Sequence, residues 1–127
     1  MSTSFHLFVY GTLRSGGTAA HMLSEAECIG SGFVGGVLYD IDGEYPALLL
    51  YGDTPVRGEI WKCPAALLST LDAYERIASG LFRRVGVEAR GEDGSRVACW
   101  VYVAGPRLAR QLTPTRIVGS WKAGAQT

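Results

Sequence analysis

Two stretches of this chain carry residue types able to do chemistry. The first is Val9-Tyr10-Gly11-Thr12-Leu13-Arg14-Ser15-Gly16-Gly17. Small and hydroxyl residues, with glycines at 11, 16 and 17, follow directly on an alternating apolar run. Glycine permits positive φ and close approach of backbone to a ligand, so such a loop can gather several N–H groups into one concavity. The chemistry would be the holding of an anion or an oxyanion; the plain alternative is an ordinary strand-to-helix turn. The loop is not a nucleotide P-loop, since the chain contains no Gly-Lys-Ser/Thr and no Gly-x-Gly-x-x-Gly follows the strand.

The second stretch is centred on Glu75. Leu68, Leu71 and Glu75 are spaced by three and four, so Glu75 extends an apolar helical stripe. A carboxylate at the end of a core-facing stripe is partly desolvated, which disfavours its charged form and moves it toward general-base work near neutral pH. The alternative is a rim carboxylate paired with Arg76, Arg83 or Arg84, and spacing leaves both readings open. Asp72, one turn earlier, reads as a structural group. Glu59 shares a strand face with Arg57 and Trp61, either solvated or facing inward with a partner. Tyr45, Trp100 and Tyr102 are candidates to line a pocket, although aromatics at strand spacing more often pack. His6 reads as an exposed strand residue.

These residues need elements to position them. Phe5–Tyr10 alternates as a first strand. Thr18–Cys28 suits a short helix with Thr18 as N-cap, ended by Gly30 and Gly32. Phe33–Asp40 is a strand with a bulge or bend at Gly35-Gly36, and Asp42-Gly43 marks a hairpin turn. Pro46 removes a ladder donor, so pairing is expected to begin after it. Val56–Lys62 alternates, with Val56, Gly58 and Ile60 on one side. Pro64 opens a second helix, Ala65 to about Arg76. Phe82–Arg90 and Val97–Val103 form a hairpin about Gly91-Glu92-Asp93-Gly94. Leu108–Leu112 allows one helical turn, and the last residues, from about 115, form a tail. Strands dominate and helices do not alternate regularly with them. The fold class is therefore α+β: a small mixed, mainly antiparallel β-barrel with flanking short helices.

Composition bounds the rest. The chain has 127 residues, read as one domain spanning 1–127. Apolar residues make up 47% and charged residues 19%, a globular balance. Lys+Arg and Asp+Glu stand at 12 each, which supports neither a nucleic-acid surface nor a polybasic membrane contact. No apolar run approaches the ~20 residues of a membrane helix, and the first residues carry no cationic patch before an apolar stretch, so no secretory signal is expected. Cys28, Cys63 and Cys99 match no zinc spacing, and His6 and His21 are the only histidines, so no metal is expected. The cysteines are expected to stay reduced and pack as small hydrophobes, which points to the cytoplasm.

In order and spacing, several segments resemble the gamma-glutamylcyclotransferase-like family, in its AIG2-like and gamma-glutamylamine-cyclotransferase-like branch. They are Val9–Arg14, Gly43–Leu48, Val56–Trp61, Leu71–Glu75, Phe82–Val87, Trp100–Val103 and Arg116–Trp121. The resemblance implies a small mixed barrel with a central pocket and a small-molecule γ-glutamyl substrate. It implies intramolecular attack of the substrate α-amine to give 5-oxoproline and a free amine, with no metal or organic cofactor. It places the acid/base at Glu75 and substrate-binding positions at Tyr10, Gly11, Thr12, Leu13, Tyr45, Phe82 and Tyr102. Three positions depart from the family pattern. Arg76 stands where Gly usually follows the Glu, Phe82 replaces Tyr, and the tail lacks the Asp before Trp121. The departures carry the alternative reading, a catalytically weak or inactive binding module on the same fold.

Overall fold

Burial alternates along residues 55–64 and follows the alternation in the sequence: Val56, Gly58 and Ile60 are buried while Arg57 is exposed. In the computed structural model, which describes residues 4–17, 19–41, 45–109 and 116–117, the order is β1 (Ser4–Val9), β2 (Glu27–Gly35), β3 (Val37–Ile41), β4 (Tyr45–Leu49) and β5 (Pro55–Pro64). There follow α1 (Leu67–Tyr74), β6 (Phe82–Gly91), β7 (Arg96–Ala104), α2 (Pro106–Ala109) and β8 (Arg116–Ile117). Single 3-10 turns occupy Ala20–Leu23 and Ile77–Ser79.

Strands β1-β5-β2-β6-β7 close into a barrel, and β4-β3-β8 form a separate three-stranded sheet. All barrel pairings are antiparallel except β1 with β7, where Leu7 lies opposite Trp100. This is the mixed, mainly antiparallel barrel expected from the sequence. Closure leaves no free edge within the barrel.

Both faces of β1 are buried. Phe8 and Tyr10 join Val34, Val56, Ile60, Ala89, Cys99, Val101 and Val103, a set drawn from all five barrel strands, with Leu38 and Leu48 from the smaller sheet. Leu7 and Val9 face a second cluster with Leu23, Cys63, Leu71, Tyr102 and Leu108, which takes in both helices. A strand covered on both sides reads as a near-continuous apolar run, which is how β1 reads. Each large side chain buried this way contributes about 1.5–3 kcal/mol relative to exposure.

Several expected boundaries shift. The helix expected over Thr18–Cys28 is one 3-10 turn, and Glu27 and Cys28 already pair with Lys62 and Trp61 in β2. Gly30 sits at a register shift with φ +147°, and Gly32 lies where a Cβ would meet Ile60 and the Arg90 carbonyl. Both glycines serve the strand; neither ends a helix. The strand expected over Phe33–Asp40 is two strands parted at Gly36. Pro46 lies within β4, opposite Asp40. β4 is the edge of its sheet, the kind of strand in which proline is tolerated. Pro64 is the last residue of β5, and α1 begins three residues later. Arg116 and Ile117, expected within the tail, pair with Tyr39 and Leu38. The Thr18 cap, the Asp42-Gly43 turn and the final residues from 118 lie outside the described residues.

Cys63 and Cys99 are buried, as small hydrophobes would be, whereas Cys28 is exposed. Burial pushes both buried thiols up to about 11, which keeps them protonated and poorly nucleophilic. Among the described residues no helix is long and apolar enough to cross a membrane.

Candidate active site

The end of β1 brings the chain into the site. β1 ends at Val9, and the chain then passes closely under Pro46 of β4 at Gly11, where a Cβ would meet Pro46 Cγ at 2.6 Å. The loop that follows is pinned from two sides. The Arg14 N–H donates to the Gly11 carbonyl at 3.0 Å, and the Ala19 N–H to the Thr12 carbonyl at 2.9 Å. Glu59 of β5 accepts the Ser15 N–H at 2.8 Å and Trp61 Nε1–H at 3.0 Å, both on Oε1. Glu59 therefore anchors the loop, which settles the choice its strand position left open. Among the described residues no hydrogen bond takes up the N–H of Thr12 or Leu13.

A second group of residues fixes the opposite wall. Asp72 of α1 is bridged by Arg84 of β6, with Nε to Oδ1 at 2.9 Å and Nη2 to Oδ2 at 3.3 Å. The Arg84 guanidinium also lies over the Trp100 ring, 4.3 Å from its centroid. Tyr102 of β7 donates its hydroxyl to Asp72 Oδ1 at 2.7 Å. Burial, and then the bond to Asp72, hold the Tyr102 hydroxyl protonated well above the usual tyrosine range. The Tyr10 hydroxyl donates to the Tyr102 carbonyl at 2.5 Å, and its own burial pushes its pKa far up. Both phenols are thus fixed donors that do not titrate near neutral pH.

Glu75 closes the site. It caps α1 at its C-terminus, its N–H donating to the Leu71 carbonyl at 2.9 Å. Desolvation raises its carboxyl from 4.5 to about 7. None of the ion pairs among the described residues involves it, and Arg84 is taken by Asp72. The rim-pair alternative therefore does not hold for Arg84.

These walls enclose a cavity of about 400 Å³, within the range of small-molecule sites. The eight site positions implied by the family resemblance all line it: Tyr10, Gly11, Thr12, Leu13, Tyr45, Glu75, Phe82 and Tyr102. Tyr45 and Phe82 meet edge to face, ring centroids 6.0 Å apart. Trp100 does not line the cavity; its ring lies against the Arg84 guanidinium instead. Sequence reasoning missed Phe8, Val9, Pro46, Tyr74, Arg76 and Leu81 as lining residues. Tyr74 carries a usable signal, since it directly precedes Glu75; its hydroxyl lies 3.0 Å from Thr12 Oγ1 and ties the loop to α1. Among the described residues no three His, Cys, Asp or Glu side chains gather as metal ligands do.

A desolvated carboxyl and a glycine-containing backbone loop thus line one cavity of a closed mixed barrel. Comparison with known proteins identifies the family. The profile of the gamma-glutamyl cyclotransferase, AIG2-like family matches residues 7–123, and the chain belongs to that family. A curated relative, the gamma-L-glutamyl-butirosin B gamma-glutamyl cyclotransferase of Niallia circulans, is 31% identical over 104 residues. That match takes in 77% of this chain and 65% of the relative, so the chain spans just under two thirds of the relative's length. Among solved structures, an AIG2-like protein from Mus musculus superposes with a TM-score of 0.77 at 24% identity, covering 98% of this chain and 92% of that one. A uropathogenic E. coli-specific protein does so with a TM-score of 0.71 at 24% identity, covering 94% of each. At these identities the two structures speak to the fold.

Proposed function

We propose that this chain is a γ-glutamyl cyclotransferase that converts a γ-glutamyl compound to 5-oxoproline and a free amine. The observation that carries the reading is Glu75, a carboxyl held near pH 7 by burial in the cavity that also contains the Gly11–Leu13 backbone. Family membership and the activity in the name of the Niallia circulans relative support it.

The substrate carries its own nucleophile, the α-amine, on the same chain as the γ-carbonyl it attacks. Closing a five-membered lactam is intramolecular, so binding in a folded pose supplies much of the rate. The Glu75 carboxylate accepts the proton that the α-amine sheds as its nitrogen bonds to the γ-carbon. The resulting oxyanion sits within reach of donors such as the N–H groups of Thr12 and Leu13; one well-aimed donor of this kind is worth roughly 3–4 kcal/mol. Glu75 then returns the proton to the departing nitrogen as the old amide bond breaks. The products are the lactam and the neutral amine, and Glu75 ends as it began. Tyr45, Phe82, Tyr10 and Tyr102 shape the wall against which the glutamyl carbons fold, and Asp72 positions Tyr102.

A panel of γ-glutamyl dipeptides and γ-glutamyl amines, followed by mass-spectrometric detection of 5-oxoproline, tests the reading. Product from at least one member is expected. Thermal stabilisation by these compounds with no product over long incubation would favour the binding module instead, the reading that Phe82 and Arg76 motivate.

A further inference from the structure

The residue after Glu75 is anomalous. Arg76 has φ 56° and ψ 46°, the one non-glycine residue with positive φ among the described residues. A side chain in the left-handed region is disfavoured by contact of its Cβ with the backbone, and glycine is the residue that relieves it. Arg76 is the N-cap residue of the Ile77–Ser79 turn, but its side chain makes no capping bond and takes no part in the core. It is exposed, it lines the cavity, and its guanidinium makes no hydrogen bond or ion pair with any described residue. Only its backbone is engaged: the N–H donates to the Ala73 carbonyl at 3.2 Å, and the carbonyl accepts from the Ser79 N–H at 3.2 Å and the Ser79 hydroxyl at 3.0 Å. A strained backbone position next to the reacting centre, holding an unpartnered cation, is the kind of outlier that points to a role in binding.

We propose that Arg76 is a specificity-determining residue: it places a cation at the cavity mouth that selects substrates whose leaving amine bears a carboxylate, as in γ-glutamyl amino acids. The inference rests on the cyclisation reading, which fixes which end of the ligand lies inside. The α-amine and γ-carbonyl must reach Glu75, which is largely buried, so the group beyond the scissile bond emerges toward the exposed Arg76. Of the residues that line the cavity, Glu75 and Arg76 are the charged ones; behind the walls Asp72 and Arg84 pair with each other, Glu59 holds the loop, and Arg14 Nε donates to the Gly11 carbonyl at 3.3 Å. Arg76 is thus the cation among the lining residues that a leaving group would meet. A guanidinium meets a carboxylate in a planar two-point fork, which a neutral amide cannot reciprocate with charge.

The test compares two unreactive ligands of equal size, N-glutarylglycine and N-glutarylglycinamide. Both keep the glutamyl carboxylate, lack the α-amine, and differ only in the terminal carboxylate. Dissociation constants are measured by calorimetry for the parent chain and for Arg76→Gln, Arg76→Lys and Arg76→Gly. The parent is expected to bind the glycine ligand about fivefold more tightly, the scale of a solvent-exposed ion pair. Arg76→Gln and Arg76→Gly should bring the ratio to about one, Arg76→Lys should keep part of it, and added salt should compress it in the parent. An unchanged ratio in Arg76→Gln, no preference in the parent, or no binding of either ligand overturns the inference. The two proposals separate cleanly. Cyclisation of γ-glutamyl compounds without carboxylate preference sinks this one alone. Carboxylate-selective binding that depends on Arg76, in a chain that forms no 5-oxoproline, sinks the cyclisation alone.

Discussion

Replacing Glu75 with Gln should make the folded protein more stable, and the gain should grow with pH. The Glu75 carboxyl stands at about 7 in the folded chain against 4.5 for an unburied group, and burial is the cause. Between those two pH values the folded state holds a proton that the unfolded state has released. Stability therefore falls as pH rises through this window, the opposite of the usual carboxylate. Moving a carboxyl from 4.5 to about 7 corresponds to about 3 kcal/mol once the group is fully ionised. Gln has nearly the same shape and never ionises, so it escapes the penalty. Urea denaturation of both chains from pH 4 to pH 8 should give equal stabilities at pH 4. At pH 8 Glu75→Gln should lead by about 2–3 kcal/mol, a midpoint shift on the order of 1 M urea or more. A difference that stays flat across this range, or a Gln variant that is weaker at pH 8, would refute the claim that Glu75 is desolvated. The expected pairing of higher stability with lost activity is the usual mark of a group kept for function.

Other consequences follow from the same geometry. Turnover of a γ-glutamyl substrate should fall as pH drops below about 7, because Glu75 must be ionised to accept the amine proton; a kcat/KM profile flat from pH 5.5 to 8 would contradict this. Gly11→Ala forces a Cβ to within 2.6 Å of Pro46 Cγ. It should lower stability by about 1–3 kcal/mol in thermal or urea unfolding and reduce turnover by displacing the loop. Asp72→Asn removes the charge that both Arg84 and the Tyr102 hydroxyl use. Stability should drop by about 1 kcal/mol, since the pair is partly solvated, and KM should rise more than kcat falls. Equal stability and kinetics in the Asn variant would remove Asp72 from its positioning role.

What the sequence discloses follows from how local each signal is. The β6–β7 hairpin is legible because alternation and a Gly-Glu-Asp-Gly turn lie in one stretch, and pairing runs from Phe82 opposite Ala104 to Arg90 opposite Arg96. β5 is legible for the same reason. The Thr18–Cys28 helix misreads because Ala19, Met22, Leu23 and Ala26 share a helical face by spacing, yet residues 27 and 28 gain more as partners of β5. Gly32 resembles a helix stop, but its missing side chain makes room for Ile60 and the Arg90 carbonyl in the assembled barrel. In the site, Glu75 and the loop after β1 stand out because each is one short segment. The bridge from Asp72 to Arg84, with Tyr102 and Trp100, draws on α1, β6 and β7, and becomes visible once closure of the sheet brings them together. The loop-holding role of Glu59 depends on which face of β5 meets residue 15, a fact of register.

The most direct test of the central claim is the initial rate of 5-oxoproline release by the parent chain and by Glu75→Gln at pH 7.5, on one γ-glutamyl substrate that the parent turns over. With Glu75 as the proton carrier, the parent should form 5-oxoproline and the variant should be slower by about 10²–10⁴-fold while still folded. A folded Gln variant that releases 5-oxoproline at the parent rate would contradict the account.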